Sequence, residues 1–94
     1  MRLTDLLQLI DDLNINTALY FKNEERLYPL SKLTIENGRC LLHVGPRTMT
    51  KAKLIKIVGH MHGRGIPLLI KIQEREIHIF GLQIKEDNGT VILM

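Results

Sequence analysis

The sequence predicts an α+β fold built from two αβββ repeats, with a mostly antiparallel sheet around one aliphatic core. Three observations lead there. Two segments carry apolar residues at helical spacing, and they align without a gap: Leu6, Leu7, Leu9, Ile10 and Leu13 on Leu54, Ile55, Ile57, Val58 and Met61. Short apolar runs bounded by turn residues follow each helix, as strands do. Each half then closes on the same phrase. Leu33, Ile35, Asn37-Gly38 and Cys40-Leu41-Leu42 match Leu82, Ile84, Asn88-Gly89 and Val91-Ile92-Leu93. The expected organisation is a single domain, 1–94, with internal repeats 1–46 and 47–94.

The first helix begins at Thr4, a good N-cap, with Asp5 suited to the positive end of the helix dipole. Leu3, Leu6, Leu7, Ile10 and Leu13 form its apolar stripe, and Asn14 and Asn16 end it. Thr17 to Lys22 reads as a strand and Asn23-Glu24-Glu25 as a turn. Arg26 to Leu30 is a short strand that Pro29 confines to an edge or to its own end. Lys32 to Glu36 alternates, and Asn37-Gly38 suits a type I′ hairpin because both residues tolerate positive φ. Arg39 to Val44 is the return strand. After Gly45-Pro46, Thr48 or Thr50 can cap a second helix, Thr50 to His62, with Gly63 placed for a left-handed C-terminal cap. Pro67 to Ile72, a long strand Glu76 to Lys85 interrupted at Gly81, and Thr90 to Met94 complete the chain.

One repeat resembles the small helix-plus-hairpin modules common among uncharacterised bacterial and phage proteins: a capped Leu-rich helix, an apolar strand, then a strand pair closing on a Gly turn and an aliphatic run. The resemblance covers each half almost fully. It implies a fold unit and brings no catalytic or binding residues with it.

Composition narrows the functional classes. Apolar residues are 45% of the chain and charged residues 24%, which fits a folded domain and not a disordered one. Trp is absent and aromatics make up 4%, which argues against a base-stacking nucleic-acid surface. Cys40 is the single cysteine and lies in an apolar run, which fits a buried thiol in a reducing cytoplasm. The first residues carry Asp5 where a signal peptide needs an apolar core, and no apolar run reaches the roughly 18 residues of a membrane span. The expected location is cytoplasmic.

Several strand segments are apolar on both faces: Ala18-Leu19-Tyr20-Phe21, Leu68-Leu69-Ile70 and Val91-Ile92-Leu93-Met94. A sheet covered on one side should alternate apolar and polar residues. The second face is therefore expected to be covered by the other half, by a second sheet or by another chain, which points to a homo-oligomer.

Charge is uneven. Residues 1–46 hold five Lys/Arg against six Asp/Glu (−1), and residues 47–94 hold eight against four (+4). No acid lies between Arg47 and Arg64. On a helix, Lys53, Lys56, His60 and Arg64 fall within a sector of about 80°, and Arg47 and Lys51 precede them. This basic ridge is the candidate interaction site, for an acidic protein or for nucleic acid, against the plainer reading of a solvated helix face. Lys51 and Lys53 also sit in a first helical turn, where the dipole prefers acids.

No other motif points to chemistry. The glycines of Gly59-His60-Met61-His62-Gly63-Arg64-Gly65 follow a helix, whereas a phosphate loop needs them before one. His60 and His62 project to different faces of a helix, and His43 and His78 lie on strands, so no metal site is expected. Cys40 sits in a core run and Ser31 has no nucleophile elbow; Asp11-Asp12 belong to a polar helix face. The sequence thus reads as a non-enzymatic interaction or assembly module without a cofactor. The alternative is a weak, salt-sensitive nucleic-acid binder using the ridge.

Overall fold

The computed structural model describes residues 1–94. The chain is α+β, with two helices and seven strands. Helix α1 (Leu3–Leu9) precedes β1 (Ala18–Asn23), β2 (Arg26–Glu36) and β3 (Arg39–Val44). Helix α2 (Lys51–Val58) precedes β4 (Leu68–Ile72), β5 (Arg75–His78), β6 (Leu82–Lys85), a 3-10 turn Glu86–Asn88, and β7 (Thr90–Leu93). Both helices are shorter than their apolar periodicity suggests. α1 starts one residue before the expected cap: Arg2 holds the N-cap position, and its N–H donates to the Asp5 carboxylate at 2.7 Å. Of the two candidate caps Thr48 and Thr50, Thr50 caps α2, its hydroxyl accepting the Lys53 N–H at 3.3 Å.

The strands form one sheet in the order β5-β4-β3-β2-β1-β7-β6. Its first and last strands are consecutive in the chain, joined by Ile79-Phe80-Gly81. A flat sheet would separate them by six strand spacings, about 29 Å, but the chain from His78 to Leu82 reaches about 14 Å at most. The sheet must therefore curl until β5 and β6 meet. Four of the pairings are antiparallel, and β1–β7 and β3–β4 are parallel, so the sheet is mixed. Arg26–Leu30 and Lys32–Glu36, expected as separate strands, are one strand with a bulge at Ser31. β2 pairs through Arg26–Pro29 with β1 and through Leu30–Glu36 with β3, so Pro29 sits where pairing passes from one neighbour to the other. The expected strand Glu76–Lys85 does break, at Ile79–Gly81. Asn37 and Gly38 both take positive φ, 51° and 74°, as the type I′ turn requires.

The inside of the curl holds Leu19, Phe21, Leu30, Cys40, Leu42, Leu68, Ile70, Ile79, Val91 and Leu93. Strands β1, β3, β4 and β7 all run in one direction, because β1 and β3 are both antiparallel to β2 and each is parallel to one of the others. β1 and β4 therefore start at the same end. Arg2, before α1, bridges Pro67 at the start of β4, and Thr50, before α2, bridges Ala18 at the start of β1. Each helix begins at one of these strand starts and leads to the other. The two helices thus close the same end of the curled sheet and drive Leu3, Leu6, Ile10, Leu54 and Val58 into its core.

Much of the outer face of the doubly apolar strands is covered within the single chain. The outward members Leu41, Leu69 and Ile92 are already 0%, 6% and 4% exposed in the single chain. Leu41 and Leu69 lie side by side in register, next to the row Lys32, His43, Lys71 and Glu76. Long polar side chains lay their aliphatic stems over such positions while keeping their charged ends in water.

Candidate interaction surface

The structure splits the basic ridge. Lys53 and Lys56 remain together on the outward side of α2, with His60 beside them in the turn that follows it. With Ala52 and Ile57 they line an open concavity of about 670 Å³. All three side chains are exposed, because the helix turns Leu54 and Val58 inward on the opposite side.

Lys51 is not part of this surface. It is 8% exposed, and its ammonium donates to the backbone carbonyls of Asp11 and Leu13, both at 2.7 Å. These carbonyls follow the C-terminal end of α1, where the last C=O groups lack helical partners and the dipole end is negative. The cation that looked out of place at the start of α2 is thus in place at the end of α1. Arg64 lies beyond the helix, and its guanidinium donates to the Gly59 carbonyl at 3.3 Å, capping the C-terminus of α2. Arg47 lies in the loop before α2. Its backbone is held by Ser31, whose hydroxyl donates to the Arg47 carbonyl (2.5 Å) and accepts its N–H (3.2 Å).

The sequence reading missed the counterpart of this surface on α1. In the gapless helix alignment Asp5 corresponds to Lys53, Gln8 to Lys56, Leu9 to Ile57 and Asp12 to His60. Asp5, Gln8, Leu9 and Asp12 are all exposed. Asp12 also lines, with Glu86 and Thr17, a cavity of about 270 Å³ between the end of α1 and the 3-10 turn. The signal lies in the polar positions of the alignment, where acids and Gln8 of the first half stand against bases of the second.

Elsewhere side-chain pairing is confined to a few groups. Arg39 and Lys71 both pair with Glu76 on the outer sheet face, and these are the only ion pairs in the protein. The Thr34 hydroxyl donates to Glu36 (3.1 Å) and accepts from His43 Nε2 (2.7 Å). Desolvation, reinforced by Lys32, lowers the pKa of His43, so its imidazole is neutral near pH 7. Burial pushes the Cys40 thiol up to about 12, which keeps it protonated and unreactive. No three His, Cys, Asp or Glu side chains converge as metal ligands would. No helix is long and apolar enough to cross a membrane. Phe80, in the link between β5 and β6, is 90% exposed, an outlier for an aromatic residue.

Fold and surface together define a curled mixed sheet with one end closed by a two-helix layer of opposite charges. Comparison with family models, curated proteins and solved structures gives no match, so a functional reading rests on this geometry.

Proposed function

We propose that the protein is a small, cytoplasmic, non-enzymatic interaction module that associates with its own copies, and that it arose as two interleaved αβββ units. The observation carrying the functional reading is the outward side of α2. Lys53, Lys56 and His60 surround Ala52 and Ile57 there with no acid within pairing distance, since both ion pairs of the protein involve Glu76. Unpaired charge around a partly apolar centre is the composition of a docking surface.

Matched contacts support the duplication. The Leu3 N–H donates to the Ile66 carbonyl, and the Lys51 N–H to that of Thr17. The Leu68 N–H donates to Met1, and the Leu19 N–H to Met49. Cys40, Leu41 and Leu42 pair with Leu68, Leu69 and Ile70; Val91, Ile92 and Leu93 pair with Leu19, Tyr20 and Phe21. The first strand of each unit lies parallel to the last strand of the other.

A second reading, salt-sensitive nucleic-acid binding, uses the same cations. The α2 surface offers no aromatic side chain for stacking bases, which favours a protein partner. Light scattering on a sizing column, with and without a short DNA duplex, separates the two. Self-association appears as a mass above 10.8 kDa without DNA. Nucleic-acid binding appears as a duplex-dependent shift that weakens steeply with salt. A monomer at every concentration and salt, indifferent to DNA, overturns both.

A further inference from the structure

We infer that the two-helix layer is a two-fold dimer interface, with α2 of one copy against α1 of the other. This deepens the self-association reading and rests on it. The helices close the same end of the sheet in opposite directions, since each starts where the other leads. Exposed polar positions that correspond in the helix alignment carry opposite charge: Asp5 and Gln8 on α1 with Asp12 in the turn after it, and Lys53 and Lys56 on α2 with His60 in the turn after it.

A second copy stacked on this layer and turned by 180° about an axis parallel to the helices brings α1 onto α2 and α2 onto α1. Such an interface is self-complementary and closed, so it forms dimers and not filaments. Both contacts then join acid to base, with Leu9 at the end of α1 and Ile57 near the end of α2. Leu9 is 49% exposed in the single chain, and contact with a second copy would bury it.

The occupant is a second copy and not an unrelated acidic protein, because this chain presents a complementary face of matching length. Two short helices offer a small contact area, so the dimer should be weak and salt-sensitive. Asp5 is best left unchanged in any test because its carboxylate accepts the Arg2 N–H that starts α1.

The test uses full-length chains in sedimentation velocity over a concentration series, with circular dichroism to verify folding. The Lys53→Glu/Lys56→Glu chain has two acidic helices, and the Gln8→Lys/Asp12→Lys chain has two basic ones. Each alone should dimerise at least about tenfold more weakly than the parent, because like charges now face each other. An equimolar mixture should restore a one-to-one dimer, in which both contacts again join acid to base. The neutral Lys53→Gln/Lys56→Gln chain should fall between, and covers the case in which a reversal impairs folding.

A parent dimer that salt and all these substitutions leave unchanged overturns the interface while sparing self-association through another face. Two weakened chains that fail to recover on mixing also overturn it. A parent that is monomeric throughout overturns the self-association reading itself.

Discussion

Replacing Lys51 by alanine should destabilise the domain far more than replacing Lys53, two residues away in the same helical turn. The Lys51 ammonium makes two charged hydrogen bonds, to the Asp11 and Leu13 carbonyls at 2.7 Å, and the residue is 8% exposed. Hydrogen bonds to charged groups contribute about 1.5–3 kcal/mol each, and their loss leaves carbonyls that water can reach only in part. The two share one donor and do not add fully, so a loss of about 3 kcal/mol is expected. A 94-residue domain has a total stability of roughly 5–14 kcal/mol, and 1 kcal/mol shifts the midpoint of a domain of this size by about 4–8 °C. Lys51→Ala should therefore melt about 12–24 °C below the parent, whereas Lys53→Ala should stay within about 0.5 kcal/mol of it. Thermal unfolding followed by circular dichroism measures both. Lys51→Met, which keeps the stem and removes the ammonium, separates packing from hydrogen bonding. Equal midpoints for Lys51→Ala and Lys53→Ala would refute the assignment of Lys51 to the end of α1.

Four other outcomes follow from the structure. The folded-state pKa of His43 is depressed, so the unfolded chain binds its proton more readily; stability should be complete above about pH 6.5 and decline as pH falls below it. Neutralising Lys32 should raise the His43 midpoint in an NMR titration, and an unchanged midpoint would exclude its electrostatic influence. Cys40 should resist iodoacetamide at pH 8 while the domain is folded and react once urea unfolds it, because burial holds the thiol at about 12. Gly45→Ala would place a Cβ 2.7 Å from the Ser31 Cβ and closer still to its hydroxyl; loss of about 1–3 kcal/mol in urea titration is expected as the Ser31–Arg47 contact gives way. Glu24 and Glu25 both adopt positive φ, 52° and 68°, so Glu24→Asn/Glu25→Gly should stabilise the β1–β2 turn by about 1–2 kcal/mol, read as a rise in melting temperature.

The elements were legible where local chemistry decides them. Asn37-Gly38 indicated its turn, Thr50 its cap and Gly81 the interruption of its strand. The periodic stripes located both helices but overstated their length. Leu13, and Met61 beyond α2, still pack on the core after the helical hydrogen bonding has stopped, so the apolar pattern outlasts the helix. The parallel pairings were not legible, because they join segments far apart in sequence and depend on how the whole sheet curls. The same non-local arrangement explains the errors at the candidate site. A lysine seen only beside its own helix reads as exposed charge, and nothing near Lys51 in sequence announces the carbonyls of Asp11 and Leu13. Leu41, Leu69 and Ile92 likewise read as uncovered until their neighbours in register are known. The exposure of Phe80 had no sequence signal, since an aromatic residue in a strand-like run is ordinarily buried.

The parallel pairing of β1 with β7 also bears on how the domain folds. Ala18–Phe21 cannot reach its partner until Thr90–Leu93 has been made, and β3 must likewise wait for β4. Neither half can finish its own sheet alone. The hairpins of β2 with its neighbours can form early, but the core closes only by joining segments separated by most of the chain. Such contacts must overcome a large loop-closure entropy, which slows folding relative to a helical bundle of equal size. During synthesis the apolar edges of β1 and β3 therefore stay open until late, and that interval is when a nascent chain is most exposed to pairing with the wrong strand.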